Sequence, residues 1–312
     1  VSKALSRKEL AKDALALVLA LGLPVLAADL NVWGFFVDIC AVVPFVWIGV
    51  RRGKAAAIGL ALLAVVGVYL VSRNLVLTLG NGMVLLGVSL SFVLGLERGW
   101  KPGKMLFWGS LMWIPFVVLS IGSVGQDWLT QLQNAYLEMF QQSDMQQMLI
   151  SSQGLGASQT QDWLQKVSWI AAAIYPAILY LYGLVTMVVN FLLVKAVMKR
   201  GMGLGLEIGP FMRWTLPWYA VWGAIAGLAA YLAGDNWNLT WLIVVGINLG
   251  LVYAVICLVL GLSVAIHLFV SPRIPFLLKI IFVILVLINP LILSLLGLFD
   301  MVMNFRKIPE SA

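Results

Sequence analysis

The chain has 312 residues, 62% hydrophobic and only 11% charged, with a mean hydropathy of +1.01 and a formal net charge of +7. A soluble domain holds about 45–50% apolar and about 25% charged residues, so a water-solvated globule is excluded and lipid must be the main solvent. The positive charge sits in short loops between apolar runs, which makes it a topology signal rather than a nucleic-acid patch.

In hydrocarbon every backbone N–H and C=O needs an internal partner, which leaves only helices and closed barrels. Runs such as AAAIGLALLAVVGVYLV and IIFVILVLINPLILSLLGL are continuously apolar and lack the period-two alternation of a barrel strand. The expected fold is therefore all-α, a polytopic transmembrane helical bundle of about eight to nine spans with an external amphipathic segment. A crossing helix needs about 20 apolar residues. The candidate spans are 11–28, 33–50, 55–72, 75–96, 105–123, 167–194, 214–233, 239–268 and 278–298.

The first apolar stretch, 14–28, has a basic flank but runs through AADLNVWG into the next span, so it reads as a transmembrane helix rather than a cleaved leader. Asp38 lies early in the second span, in GFFVDICAVVPFVW. A charge inside the bilayer costs roughly 2.5–3.5 kcal/mol, so Asp38 is a candidate to bind a cation, relay a proton or face a solute, with water access near the helix end as the plain alternative. Asn81, Asn190, Asn248 and Asn289 are polar and mid-span. Each serves either a helix–helix hydrogen bond or a polar pocket, and Asn81, Asn190 and Asn248 join Asp38 as substrate-binding candidates.

Placing the N-terminus in the cytoplasm puts most of the 20 Lys and Arg on one side, in loops around 51–54, 98–104, 195–213 and 273–279, and leaves only Arg73 and Lys166 outside. That asymmetry predicts a bacterial cytoplasmic (inner) membrane protein with a cytoplasmic N-terminus. Nine spans would strand Arg306 and Lys307 outside. Pro290, in the middle of the last apolar run, offers a break that returns the C-terminus as a hairpin.

Residues 125–166 do not span. Trp128, Leu129, Leu132, Tyr136, Met139 and Phe140 recur at helical spacing among Gln, Asn and acids, and SSQGLGASQ then interrupts the helix. From 125 to 165 there are acids but no Lys or Arg, which suits an outer face, as a lid or a plain connector. The segment divides the chain into a five-helix membrane half, 1–124, the external segment, 125–166, and a C-terminal membrane half of three to four spans, 167–312.

Little else carries chemistry. Cys40 and Cys257 lie in apolar spans and read as small buried hydrophobes. His267 is the sole histidine and has no ligand-spaced partner, so no metal site is expected. GMGLGLEIG (201–209) lacks the Gly-Lys-Ser/Thr of a phosphate loop and reads as a connector. No nucleophile elbow, zinc-protease helix or catalytic carboxylate pair is present, so no enzyme and no cofactor are expected. At the end, Asp300 and Asn304 fall four apart on what reads as one helix, with Arg306 and Lys307 beyond, as an interfacial anchor; Asp300 is also within reach of Arg306.

Two further stretches, GPFMRWTLPWYAVWG (with Phe211, Arg213, Trp214, Pro217 and Trp222) and LGLFDMVMNFRK (with Gly297, Asp300, Phe305 and Arg306), carry a resemblance. With the length and multi-span layout they resemble the YybS-like family of uncharacterised bacterial polytopic membrane proteins. The N-terminal half, through segments such as VVPFVWIGVRRGKAAAIGLALL, is distantly similar to substrate-binding subunits of energy-coupling-factor vitamin transporters and to the rod-shape protein MreD. That similarity implies a solute-binding role. The transporter subunits typically have six spans, whereas this chain adds C-terminal helices and the external segment. Two functions are expected from the sequence: a small-solute binding or transport subunit, working in the lipid bilayer with another subunit; or a non-catalytic scaffold that docks a cytoplasmic partner through Arg51, Arg52, Arg98, Arg213, Asp300 and Arg306.

Overall fold

The computed structural model describes residues 7–30, 34–142, 157–204, 206–207, 209–270 and 275–308; the side chains of residues 8, 34–36, 38–39, 77 and 157 lie outside that description. Among the described residues the chain is helical, with no strand. The helices are α1 (Arg7–Asp29), α2 (Gly34–Arg52), α3 (Lys54–Ser72), α4 (Leu75–Glu97), α5 (Pro102–Leu111), α6 (Trp113–Val124), α7 (Trp128–Gln142), α8 (Ala157–Met202), α9 (Val221–Asn236), α10 (Thr240–Val270), α11 (Phe276–Ile288) and α12 (Leu291–Met303). Single 3₁₀ turns occupy Phe211–Arg213 and Trp218–Ala220.

The chain forms two compact units. The first comprises Val1–Trp128 and Leu179–Glu207, and the second Leu129–Ile178 and Ile208–Ala312. In the first unit α1, α2, α3 and α4 pack on one another, and α5 and α6 pack on α4. The join between α2 and α3 is the single residue Gly53, whose φ of +91° lies in the region that favours glycine. The inward face of α3 is Ala57, Leu60, Ala61, Ala64 and Val68, while Leu62, Leu63, Val66 and Leu70 point outward and stay exposed. Small residues inside and large ones outside suit a helix that packs closely with its neighbours and faces lipid elsewhere.

Six helical segments among the described residues are long and apolar enough to cross a membrane, or seven if a bent pair counts as one span. They cover the expected spans at 11–28, 55–72, 75–96, 105–123, 167–194 and 239–268. α2 occupies the position of the expected span at 33–50. Two expectations are corrected. The expected span at 214–233 is not one helix: Pro217 leads a 3₁₀ turn, and the 16 residues of α9 rise about 24 Å, short of a hydrocarbon core of about 30 Å. The expected span at 278–298 breaks at Asn289 and Pro290 into α11 and α12, bent by 115°. Proline removes a helix hydrogen bond there, and Asn289 takes an extended conformation with its Oδ1 accepting from the Leu291 N–H. The broken alternative for the last run is the one adopted.

In the second unit α10 packs against α9 and α12. Its Asn248 is fully engaged. Nδ2 donates to the carbonyls of Ala173 and Val244, both at 2.7 Å, and Oδ1 accepts from the Ala177 N–H at 2.6 Å. Ala173 and Ala177 are i and i+4, the pair that an uninterrupted helix bonds directly, and Pro176 lies beside them. The asparagine thus inserts its amide into the ladder of α8 and locks α10 to it. Asn248→Leu is expected to lower stability by about 2 kcal/mol, because it orphans two backbone groups. A thermal melt of purified protein in one detergent reads this as a lower midpoint; coincident melts would show that the amide holds nothing.

Candidate functional site

The best-formed polar site lies inside the first unit. A cavity of about 30 Å³ is lined by Val42 of α2, Asn81, Val84, Leu85 and Val88 of α4, Trp113 of α6, and Thr186, Met187 and Asn190 of α8. That volume suits a molecule about the size of water. Trp113 is set by its neighbours: its ring lies edge-on to Phe116 and Tyr182 and rests against the bare backbone of Gly183. Asn190 and Thr186, four apart, share a face of α8.

Three polar atoms at this cavity are buried without a hydrogen-bond partner among the described residues: Trp113 Nε1, Thr186 Oγ1 and Asn190 Oδ1. Asn190 has no exposed surface, and its Nδ2 donates to the Thr186 carbonyl at 2.9 Å, which leaves the amide oxygen as the free acceptor. An unpartnered buried polar atom costs about 1–3 kcal/mol. Trp113, Thr186 and Asn190 thus bring an indole N–H, a hydroxyl and an amide oxygen without partners to residues of the cavity lining. Among the described residues no Asp, Glu, Lys, Arg or His lines it, and these lining groups suit an uncharged polar partner.

Asn81 and Asn190 meet at this cavity, whereas Asn248 belongs to the second unit and its amide is spent on α8. Asp38 lies one helical turn before Val42 in α2, and its side chain lies outside the described residues. Trp113 and Thr186 were missed. The signal for Thr186 was its i, i+4 spacing to Asn190; nothing marked Trp113 apart from the other tryptophans.

A charged cluster in the first unit was also missed. Asp13, only 4% exposed, accepts from Arg52 Nε at 3.1 Å and Nη2 at 2.7 Å and from Trp47 Nε1 at 3.2 Å, and pairs with Arg51 Nε at 3.1 Å. Arg51 also lies 3.6 Å from Glu9 and stacks over the Trp47 ring. Beside the cluster runs an open groove of about 350 Å³, lined by Leu17, Ile48, Ala56, Gly59, Leu60 and Leu63 as well as Asp13 and Arg52.

The second unit holds the cluster at the end of the chain. Asp300 and Arg306, expected as an interfacial anchor with Asp300 within reach of Arg306, do pair, and both are buried. α12 stops at Met303, and Asn304 takes a left-handed conformation with its N–H bonded to the Asp300 carbonyl at 2.8 Å. The chain turns back and brings Arg306 to Asp300, with Nη2 to Oδ2 at 2.7 Å and Nε to Oδ2 at 3.0 Å. Nη1 donates to the Met212 carbonyl and to Ser263 Oγ, and Nη2 donates to the Trp214 carbonyl. All five guanidinium hydrogens are used. Ser263 in turn donates to the Phe211 carbonyl at 2.6 Å. Trp214 and Leu216 pack against Cys257, Leu260 and Met301. The stretches 209–223 and 296–307 thus form one assembly.

Of the other residues expected to dock a partner, Arg51 and Arg52 are tied to Asp13, while Arg98 and Arg213 are exposed. Among the described residues no three His, Cys, Asp or Glu side chains gather as metal ligands.

No curated protein and no solved structure matches the chain. A family described as predicted membrane protein (DUF2232) matches residues 14–301, which include the whole cavity and the Asp300 end of the buried ion pair. The lipid-facing helices, the break at Pro290 and the assembled C-terminal stretches are thus those of a member of the DUF2232 family of predicted membrane proteins, to which this chain belongs.

Proposed function

We propose that the protein is a small-solute binding or transport subunit, non-catalytic, whose solute contacts Asn81, Trp113, Thr186 and Asn190. The observation that carries this reading is that three residues lining one cavity, Trp113, Thr186 and Asn190, each hold a buried polar atom without a partner among the described residues. The solute class is an uncharged polar molecule with both a donor and an acceptor, and at its present size the cavity admits one about as large as water. A larger solute requires α4, α6 and the second half of α8 to separate. The resemblance of the N-terminal half to substrate-binding subunits of energy-coupling-factor transporters points to the same role. The Lys and Arg distribution supports a bacterial inner membrane with the N-terminus in the cytoplasm.

The test is osmotic shrinkage of proteoliposomes in gradients of sucrose, glycerol or urea, followed by light scattering. Wild-type protein is expected to accelerate shrinkage or solute re-entry over empty liposomes for at least one of water, glycerol and urea. Asn190→Leu should bring that rate back by tenfold or more, since it fills the cavity and removes the acceptor. Rates equal to empty liposomes for all three would remove the small-molecule pathway.

A second reading, a membrane scaffold, is favoured by the loop at 97–104. Arg98, Lys101 and Lys104 are exposed there, and Arg98 and Lys104 flank the Trp100 ring at 5.9 and 4.7 Å. Crosslinking from position 98 in intact cells distinguishes the two: recovery of one stable partner, with no permeability in liposomes, selects the scaffold.

A further inference from the structure

We propose that the groove between α1 and α3 seats an anionic phospholipid, its phosphate held by Arg52 and one acyl chain lying along Leu17, Leu60 and Leu63. The groove has a polar end and an apolar length, as an amphiphile requires. At the polar end Arg52 gives Nε and Nη2 to Asp13 and leaves Nη1 without a hydrogen bond among the described residues, while 44% of its side chain is exposed. One edge of the guanidinium is fixed by the carboxylate and the remaining donor points away from that bond, the geometry in which arginine takes a phosphate oxygen. Asp13 does not repel the phosphate, because Arg51 and Arg52 both neutralise it. Exposed Lys12 and Lys54 lie on either side in sequence, so the described charges around the groove, with Glu9 paired to Arg51, sum to a net positive.

The apolar length follows from α3. Ala56, Gly59, Leu60 and Leu63 fall on one face, running from Arg52 along about 10 Å of helix. Ala56 and Gly59 set the depth: a Cβ at Gly59 would meet no atom within 4 Å. Leu17, one turn beyond Asp13 on α1, forms the opposite wall.

The test is native mass spectrometry of full-length protein equilibrated with vesicles of phosphatidylglycerol and phosphatidylcholine in equal amounts, then delipidated with detergent. Wild-type protein is expected to retain phosphatidylglycerol about fivefold over phosphatidylcholine, the discrimination that one basic residue at a lipid surface supplies. Gly59→Phe fills the groove without touching a charge and should cut retention of both lipids about fivefold. Arg52→Gln should abolish the preference for the anionic lipid; Arg51 still holds Asp13, so the fold survives. Retention unchanged in Gly59→Phe, or equal retention of the two lipids by wild type, overturns the proposal. So does equal thermal stabilisation by soluble glycerol phosphate, which would make the site one for a free anion.

Discussion

Arg306→Ala should destabilise the second unit by about 3–5 kcal/mol, the cost of stranding a buried carboxylate whose partner has been removed. Asp300 is 3% exposed, and its Oδ1 already lacks a partner among the described residues, so its whole compensation comes through the two bonds from Arg306 to Oδ2. The same substitution removes the donor to Ser263 Oγ and to the Met212 carbonyl, and leaves the Trp214 carbonyl only a 3.4 Å bond from Ser263 Oγ. The readouts are the thermal midpoint in detergent and the rate at which a protease cuts within 209–216, a segment that the guanidinium ties down. Both should move. The double variant Asp300→Leu/Arg306→Met should recover much of the midpoint, because replacing both members of a buried pair with apolar groups is far less costly than breaking it. If the single variant melts with wild type, the pair is ornamental and the two stretches are held by apolar packing alone.

Gly297→Ala should cost about 3 kcal/mol, at the upper end for overpacking. α12 meets α10 backbone to backbone at this point. A Cβ at Gly297 would strike the Cys257 carbonyl oxygen and come within 2.6 Å of the Gly261 nitrogen, and one at Gly261 would strike the Leu293 carbonyl. Backbone cannot rotate away as a side chain can, so the helices must part. Parting also breaks the bond from Ser294 Oγ to the Ala254 carbonyl, 2.9 Å long. Gly250→Ala on the same α10 is the control, since a Cβ there meets nothing within 4 Å; helix propensity favours that change by about 1 kcal/mol. A lower midpoint for the first variant and an equal or higher one for the second is the expected pattern. Equal effects would mean that close approach is not what position 297 supplies.

The membrane helices were legible in the sequence because continuous apolar runs leave no alternative in lipid. Where they broke was less so. Pro290 announced its break, and Pro115 explains the division of 102–124 at Met112, since its ring and missing N–H fall on the carbonyl of Leu111, four residues back and the last of α5. The shortness of α9 was hidden by Trp214 and Trp218, which read as apolar span but lie ahead of the helix, Trp218 in a 3₁₀ turn. Of the site, Asn81 and Asn190 stood out as isolated amides in apolar runs. Whether an asparagine opens onto a cavity or, like Asn248, closes a helix ladder depends on what faces it, and a single chain read in order does not contain that. Asp13 was hidden for a similar reason. It lies among charges at the start of α1 and looks solvated, while its partners are more than thirty positions away at the end of α2. Asp300 and Arg306 were visible as neighbours, but six residues of continuous helix would turn them about 120° apart. Only the left-handed Asn304 makes them a pair.

The 46 residues of α8 amount to about 69 Å of helical path at 1.5 Å per residue, more than twice a hydrocarbon thickness of about 30 Å. Even its apolar stretch, 167–194, with Pro176 inside it, follows about 42 Å of helix. Such a helix cannot stand upright in an average bilayer without exposing greasy side chains to water. It must lean, bend at Pro176 or draw thicker lipid around itself. Hydrophobic mismatch of this size makes acyl-chain length a variable for the protein: reconstituted in lipids of graded chain length, it should be most stable in the longer ones.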